Sequence, residues 1–307
     1  MPTVELDHIR KVYETKVAVE GLSLRIEPGT MFGLLGPNGS GKTSSIRMMI
    51  GITVPDSGTV QLFNQPFQRD SLKRVGYLPE ERGLYKKMNV LEQIVFMGQL
   101  RGLNTAEAEK RGRRWADRLQ ITEALAKKTE ELSKGMQQKI QFITALIHEP
   151  ELIIMDEPFS GLDPVNGALL QDTLLELRAA GRAVLFSTHR MDQVEKMCDS
   201  IALIHRGRVV LEGNMREVKS AYPRNRVEVV FEGDNSFLQN AVVEEAREYG
   251  GGIASVKLRG DGVTTMPDAQ PLLADAVARG TRITRFEVKE PTLEEIFIER
   301  VGGNVDA

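Results

Sequence analysis

One cysteine, Cys198, stands in 307 residues, and that scarcity excludes an intrachain disulfide framework. In the helix-like stretch MDQVEKMCDS it reads as a small buried hydrophobe rather than a reactive thiol, and a reducing compartment suits the chain. No apolar run nears the roughly 18 residues of a membrane span, and the opening MPTVELDHIR lacks the apolar centre of a signal peptide. The expectation is a cytoplasmic chain, so that work at a membrane needs another polypeptide to do the crossing. Excess basic charge is missing too. Against 43 Asp and Glu stand 40 Lys and Arg, a net charge of −3, which speaks against nucleic acid as a partner. What is present, 41% hydrophobic residues, suffices for one large domain and a smaller one.

Strand-like runs open the chain at TVELDHI and GLSLRI, followed by the continuous apolar MFGLL of a fully buried strand. A Gly-rich turn leads into a helix from about Lys42 to Ile50, and strand patterns recur at TVQLF, ELIIMD, AVLFST, SIALIH and RVVLEG. From Val90 to Glu131 the period changes to helical, and a helical subdomain over about 86–150 is expected, with Trp115 in its core and EAEKRGRR on a solvated face. AYPRNR, 221–226, reads as a linker between domains at 1–220 and 221–307. Beyond it the pattern predicts strand RVEVVF, helix SFLQNAVVEEAREY, strand ASVKLRG, weak strand VTTM, helix PLLADAVA, strand RITRFEVK and helix TLEEIFIERV. The first six match the split βαβ order of a ferredoxin-like α+β domain.

GPNGSGKT, Gly36 to Thr43, fits G-x-x-x-x-G-K-[ST] between a buried strand and a helix. Glycines let the backbone curl its N–H groups and the helix N-terminus toward an anion. Lys42 is then placed to reach the β and γ phosphates of a nucleotide, and Thr43 to offer a hydroxyl to Mg²⁺. ELIIMDEP ends a second buried strand on Asp156 and Glu157, at the strand end where open α/β sheets bind ligands. Asp156 suits Mg²⁺, and Glu157 suits polarising an attacking water.

Together with LSKGMQQ at 132–138, SGLD at 160–163 and His189 in STHRMDQVE, these stretches resemble the ATP-binding cassette (ABC) ATPases over residues 1 to about 215. LSKGMQQ is similar to the LSGGQ signature, keeping Ser133 and Gly135 while Lys134 and Met136 depart. Tyr13 resembles the aromatic that stacks on adenine; read alone, it caps an edge strand. The resemblance implies a P-loop NTPase core with a helical subdomain. It also implies ATP and Mg²⁺ as cofactors, bound through Tyr13, Gly36, Asn38, Gly39, Ser40, Gly41, Lys42, Thr43, Ser44, Ser133 and Gly135. Glu157, His189 and Lys42 are then catalytic, and Thr43, Glu80 and Asp156 face the metal.

Ser133 and Gly135 start a helix and read in isolation as its cap; in the family that N-terminus meets the γ-phosphate held by the opposite subunit. A chain with one phosphate loop and one signature is therefore expected to pair head to tail with a second copy or a paralogue around two ATP molecules.

GYLPEERGLY and the closing PTLEEIFIERVG resemble the ATP-binding subunits of ABC-2-type exporters, of the drug- and sodium-efflux kind with a C-terminal extension. That implies docking of separately encoded permeases on the inner face of the cell membrane. Alternation along an extended segment sends Glu80 and Glu81 to opposite faces. Glu80 stands where the wider family has a glutamine, and Glu81 is expected to be solvated and paired with Arg82. Two other readings remain: a soluble ABC ATPase acting on nucleic acid or ribosomes, and a nucleotide switch that does not hydrolyse. The first lacks the sustained heptads or second phosphate loop its relatives carry, and the second is opposed by intact Glu157 and His189.

Overall fold

A computed structural model describes residues 1–81, 83–260 and 267–302. Two compact units result, Met1–Gly213 and the chain from Asn214 onward, a division one short helix earlier than the 221–226 linker suggests. Strands β1 (Val4–Tyr13) and β2 (Lys16–Ile26) form a hairpin that sets Tyr13 opposite Lys16. The buried β3 (Met31–Leu35) feeds helix α1 (Lys42–Met49), and β4 (Ser57–Leu62) and β5 (Gln65–Pro66) extend the hairpin into an antiparallel sheet, β2-β1-β4-β5.

Next come β6 (Val75–Leu78), helices α2 (Val90–Leu100), α3 (Thr105–Arg118) and α4 (Lys134–Leu146), then β7 (Leu152–Asp156). Helix α5 (Pro164–Ala179), β8 (Ala183–Thr188), α6 (Met191–Met197), β9 (Ser200–His205) and β10 (Arg208–Asn214) complete the six-stranded order β10-β9-β3-β8-β7-β6. Its five strands from β9 to β6 pair in parallel. That requires helical crossovers and cover on both faces, which is why β3, β7 and β8 are buried throughout and apolar up to the polar residues that end β7 and β8. One core joins Leu6, Leu24 and Leu62 of the antiparallel sheet, Ile46 and Met49 of α1, and Leu34, Ile154 and Leu185 of the parallel sheet. In register, Leu35 lies beside Thr188 and Asp156 beside Ser187, so three strands deliver their C-terminal residues to one edge.

The helical block begins with a cap at each helix. Glu92 Oε2 accepts from the Asn89 N–H at 3.3 Å, Asn104 Oδ1 from Glu107 N–H at 2.9 Å, and Ser133 Oγ from Met136 N–H at 3.3 Å. Gly112 lets α3 lie against α2, since a Cβ there would sit 2.7 Å from Ile94 Cγ2. Trp115 is buried, and Lys110, Arg113 and Arg114 are exposed.

His148, just past α4, donates through Nε2 to the Val75 carbonyl at 3.1 Å. Burial first, then the charges of Arg101 and Arg111, pull its pKa down to about 4. An unfolded chain titrates this imidazole near 6.5, so the unfolded state binds the extra proton over the window between. Stability from this site is complete above about pH 6.5 and is lost as pH falls toward 4. His148→Gln is expected to flatten the pH dependence of unfolding by about 1.4 kcal/mol per pH unit in that window. Urea denaturation at pH 6.5, 5.5 and 4.5 checks this; parallel slopes for both proteins refute it.

In the second unit, α7 (Met215–Ser220) precedes β11 (Arg226–Glu232), β12 (Val243–Glu248), β13 (Ile253–Leu258), α8 (Gln270–Ala278), β14 (Arg282–Lys289) and α9 (Leu293–Gly302). The antiparallel order is β12-β13-β11-β14. Strand β13 thus lies between β11 and β12, as in a split βαβ unit. The predicted helix over SFLQNAVVEEAREY is wrong. Ser236–Gln239 is a 3-10 turn that buries Phe237 and Leu238, and Val243–Glu248 is strand. Asn240 breaks the helix by accepting on Oδ1 from Val242 N–H at 3.1 Å. Downstream, pairing with β13 and the Lys257–Glu244 ion pair at 2.7 Å outweigh the helix preference of EEARE. The VTTM segment, 263–266, and Arg82, the expected partner of Glu81, lie outside the described residues, while Glu81 itself is exposed.

Candidate active site

The loop between β3 and α1 is shaped by what glycine alone permits. Gly36 has φ 152°, and a Cβ there would lie 2.2 Å from the Ile204 carbonyl oxygen; at Gly41, φ 115°, it would lie 2.4 Å from that of Ala18. Curled this way, the loop brings Lys42, 6% exposed, back over itself, where Nζ donates to the carbonyls of Gly36 at 2.7 Å and Pro37 at 3.1 Å. Burial lowers the Lys42 pKa, opposed in order by the charges of Glu157, Asp156 and Glu80. An ammonium held by carbonyls alone, with three carboxylates in range, is ready to exchange those carbonyls for an anion. Ser40 Oγ is buried without a partner among the described residues, a second polar group awaiting one.

Asp156 ends β7 almost fully buried. Its Oδ2 accepts from Thr43 Oγ1 at 2.9 Å, and its Oδ1 from Ser187 Oγ. Glu157 follows in left-handed backbone at φ 49°, which costs a residue with a Cβ about 1–3 kcal/mol. That conformation is held by its N–H donating to Ser187 O at 3.0 Å. Its Oε2 accepts from Thr188 Oγ1 at 3.0 Å, and its Oε1 from the His189 N–H at 3.0 Å and Nδ1 at 2.8 Å. Nδ1 therefore carries a proton, donated to Glu157.

A cavity of about 340 Å³ opens on this edge. Ten of the residues singled out in the sequence line it: Tyr13, Asn38, Gly39, Gly41, Lys42, Thr43, Ser44, Glu80, Asp156 and Glu157. Gly36 and Ser40 shape the loop from behind, and His189 reaches the cavity through Glu157. Ser133 and Gly135 do not line it; they sit at the start of α4, where Ser133 Oγ caps the helix. SGLD ends on Asp163, which caps α5 by accepting from Asn166 N–H at 3.0 Å. Four contributors escaped sequence reasoning. Lys16 and Ala18 line the cavity from the hairpin, and Ser187 and Thr188 hold the two acids. The two hydroxyls closing the apolar AVLFST run were the readable signal for the second pair.

The Thr43–Asp156 oxygen pair suits a hard cation. Among the described residues no three His, Cys, Asp or Glu groups gather to hold a metal unaided, the usual state of affairs where substrate phosphates complete a Mg²⁺ shell. Loop 79–85 is shared between two hollows. Glu80 faces the cavity, whereas Pro79, Gly83 and Leu84 line a separate groove of about 430 Å³ with Tyr77, Met97, Leu100, Arg101, Gln141 and Thr144.

Residues 19–160 match the model of the ABC transporter family, and residues 213–301 that of the ATP-binding protein DrrA1-3-like C-terminal domain. An uncharacterized ABC transporter ATP-binding protein of Bacillus subtilis, YhaQ, is 42% identical over 97% of this chain and 98% of its own. Nod factor export ATP-binding protein I of Cupriavidus metallidurans is 31% identical over 97% of both. A solved ATP-binding subunit of an ABC transporter, 29% identical, superposes with a TM-score of 0.67 over 71% of this chain and 92% of its own.

Proposed function

The chain belongs to the ATP-binding subunits of ABC transporters, enzymes that couple ATP hydrolysis to transport, and from that premise we propose which residues carry the reaction and how the subunit meets its partners. The observation that carries the reading is Glu157, a carboxylate locked by Thr188 and His189 at a cavity that also holds Lys42 and the Thr43–Asp156 pair. ATP enters with its adenine against Tyr13 and its β and γ phosphates on the N–H groups of loop 36–41 and the N-terminus of α1. Lys42 leaves the Gly36 and Pro37 carbonyls for those phosphates. Thr43, Asp156 and Glu80 would hold Mg²⁺, which would supply charge to offset that developing on the transferred phosphoryl group. Glu157 takes a proton from the attacking water as the bond from the γ-phosphorus to the bridging oxygen breaks, leaving ADP and phosphate. His189 keeps that carboxylate oriented through Nδ1–H, and when the ring also carries a proton on Nε2 that N–H donates to the γ-phosphate.

ABC ATP-binding subunits act as dimers on membrane permeases. For this chain the second subunit, a copy or a paralogue, supplies Ser133 and Gly135 to the site that the first cannot complete. Among the described residues no helix is long and apolar enough to cross a membrane; in this reading the permease is a separate chain, and this subunit sits against the membrane's inner face through it. Substrate leaves the cell, in keeping with the relative named for Nod factor export.

The permease docks in the groove of Tyr77, Pro79, Leu84, Met97, Leu100 and Arg101. Arg101 is half-buried and donates to the Leu72 carbonyl at 2.8 Å, and among the described residues it has no carboxylate partner. Its desolvated charge calls for one, so the docking segment carries an apolar face with an acidic side chain. Arg101→Glu is expected to cut permease-stimulated hydrolysis and co-purification at least ~10-fold, with basal hydrolysis within about twofold. Equal stimulation of the variant and the native chain refutes the docking site. Phosphate release from the purified chain that persists in EDTA refutes the assignment of the metal-facing residues.

A further inference from the structure

Gln141 lies in the middle of α4, 4% exposed. Its Nε2 donates to the Glu81 carbonyl at 3.2 Å, across sixty residues of sequence, while its Oε1 is buried with no partner among the described residues. Leaving a buried amide half satisfied costs about 1–3 kcal/mol, which offsets what its one hydrogen bond contributes. The side chain is placed for something else. It borders the groove that Pro79 and Leu84 line, it grips the residue next to Glu80, and it rides on the helix that Ser133 caps about 12 Å away along the axis.

Among the described residues, loop 79–85 has few other anchors. Tyr85 N–H donates to Gln93 Oε1 at 2.8 Å, closing the loop at its far end. Among the described residues, the Gln141 bond is the side-chain contact that holds the loop where Glu80 turns into the nucleotide cavity beside Lys42, Asp156 and Glu157. We propose that Gln141 is a positioning residue: by holding the Glu81 carbonyl it aims Glu80 at the metal side of the nucleotide site, and it ties that aim to the helix presenting Ser133. This rests on the reading of Glu80 as a metal-facing residue. A loop free to swing would still bind ATP through loop 36–41 but would lose the Glu80 contribution to Mg²⁺.

The test uses the full chain carrying Glu157→Gln, so that no turnover intervenes, and reads Mg²⁺ binding as the rise in Tm on titrating Mg²⁺ at fixed ATP. Four proteins are compared: the parent, Glu80→Ala, Gln141→Leu and the double variant. Gln141→Leu is expected to raise the half-saturating Mg²⁺ by about 3- to 10-fold, the worth of one hydrogen bond. Affinity for ATP in EDTA and the unliganded Tm stay as in the parent. Glu80→Ala shows a shift at least as large, and adding Gln141→Leu to it changes nothing more. Gln141→Met, which also lacks the donor, repeats the measurement if the leucine variant folds poorly. An inert Gln141→Leu beside an effective Glu80→Ala overturns the inference alone, as does a Gln141→Leu shift of equal size in both backgrounds. Glu80→Ala without effect overturns the reading of Glu80 and the inference with it.

Discussion

Glu157→Gln is expected to slow steady-state ATP hydrolysis by about two to four orders of magnitude, the usual worth of a positioned general base, while leaving ATP affinity within a few-fold. The amide keeps the shape of the carboxylate. Its oxygen still accepts from the His189 N–H and Nδ1, now at 3.0 and 2.8 Å, and its NH₂ turns to Thr188 Oγ1, which accepts as readily as it donates. The left-handed backbone at φ 49° is untouched. What is lost is basicity, with no proton acceptor left beside the attacking water. Phosphate release alongside equilibrium binding of a fluorescent ATP analogue separates the two quantities. Hydrolysis within tenfold of the native chain removes Glu157 from the role of base.

Lys42→Met acts on binding instead. In the unliganded fold burial lowers the Lys42 pKa, so the protein works against this charge until phosphates arrive. Removing it costs the empty protein little, and the unliganded Tm is expected to move only slightly. In a nucleotide complex the same charge would oppose triphosphate oxygens in the cavity it shares with Asp156, Glu157 and Glu80. Truncating one partner of such a pair costs about 2–5 kcal/mol, a loss of ~30-fold or more in affinity. Differential scanning fluorimetry with and without ATP reads both effects. A large drop in unliganded Tm with ATP affinity retained would assign Lys42 to the fold rather than to the ligand.

Those two residues were readable because their chemistry is local. A lysine and a hydroxyl closing a glycine loop between a buried strand and a helix admit few other purposes, and two acids ending an all-apolar strand arrive at the same sheet edge by parallel register. Alternation alone separates Glu80 from Glu81, and only Glu80 lines the cavity. The segment 236–249 was misread because its fate is decided elsewhere. Its charges and alanines suit a helix, but β13 would otherwise present an unpaired edge, and the strand Val243–Glu248 fills it. Lys16 was missed because its place depends on a hairpin that sets it opposite Tyr13. Gln141 was missed for a similar reason, since its partner is a backbone carbonyl in a distant loop. Residues that act by what they hold leave no pattern in their own neighbourhood.

The incomplete site ties the assembly to the chemistry. Ser133 and Gly135 stand outside the cavity that holds the other nucleotide-facing residues, and in the proposed mechanism a second chain presents its α4 N-terminus to the γ-phosphate held by the first. With Glu157→Gln blocking release, light scattering after size exclusion measures this directly. The account predicts a monomer without nucleotide and a mass doubled at saturating ATP and Mg²⁺, with Ser133→Arg in the same background returning it to monomer. A Glu157→Gln chain that stays monomeric at saturating ATP and Mg²⁺ would contradict it.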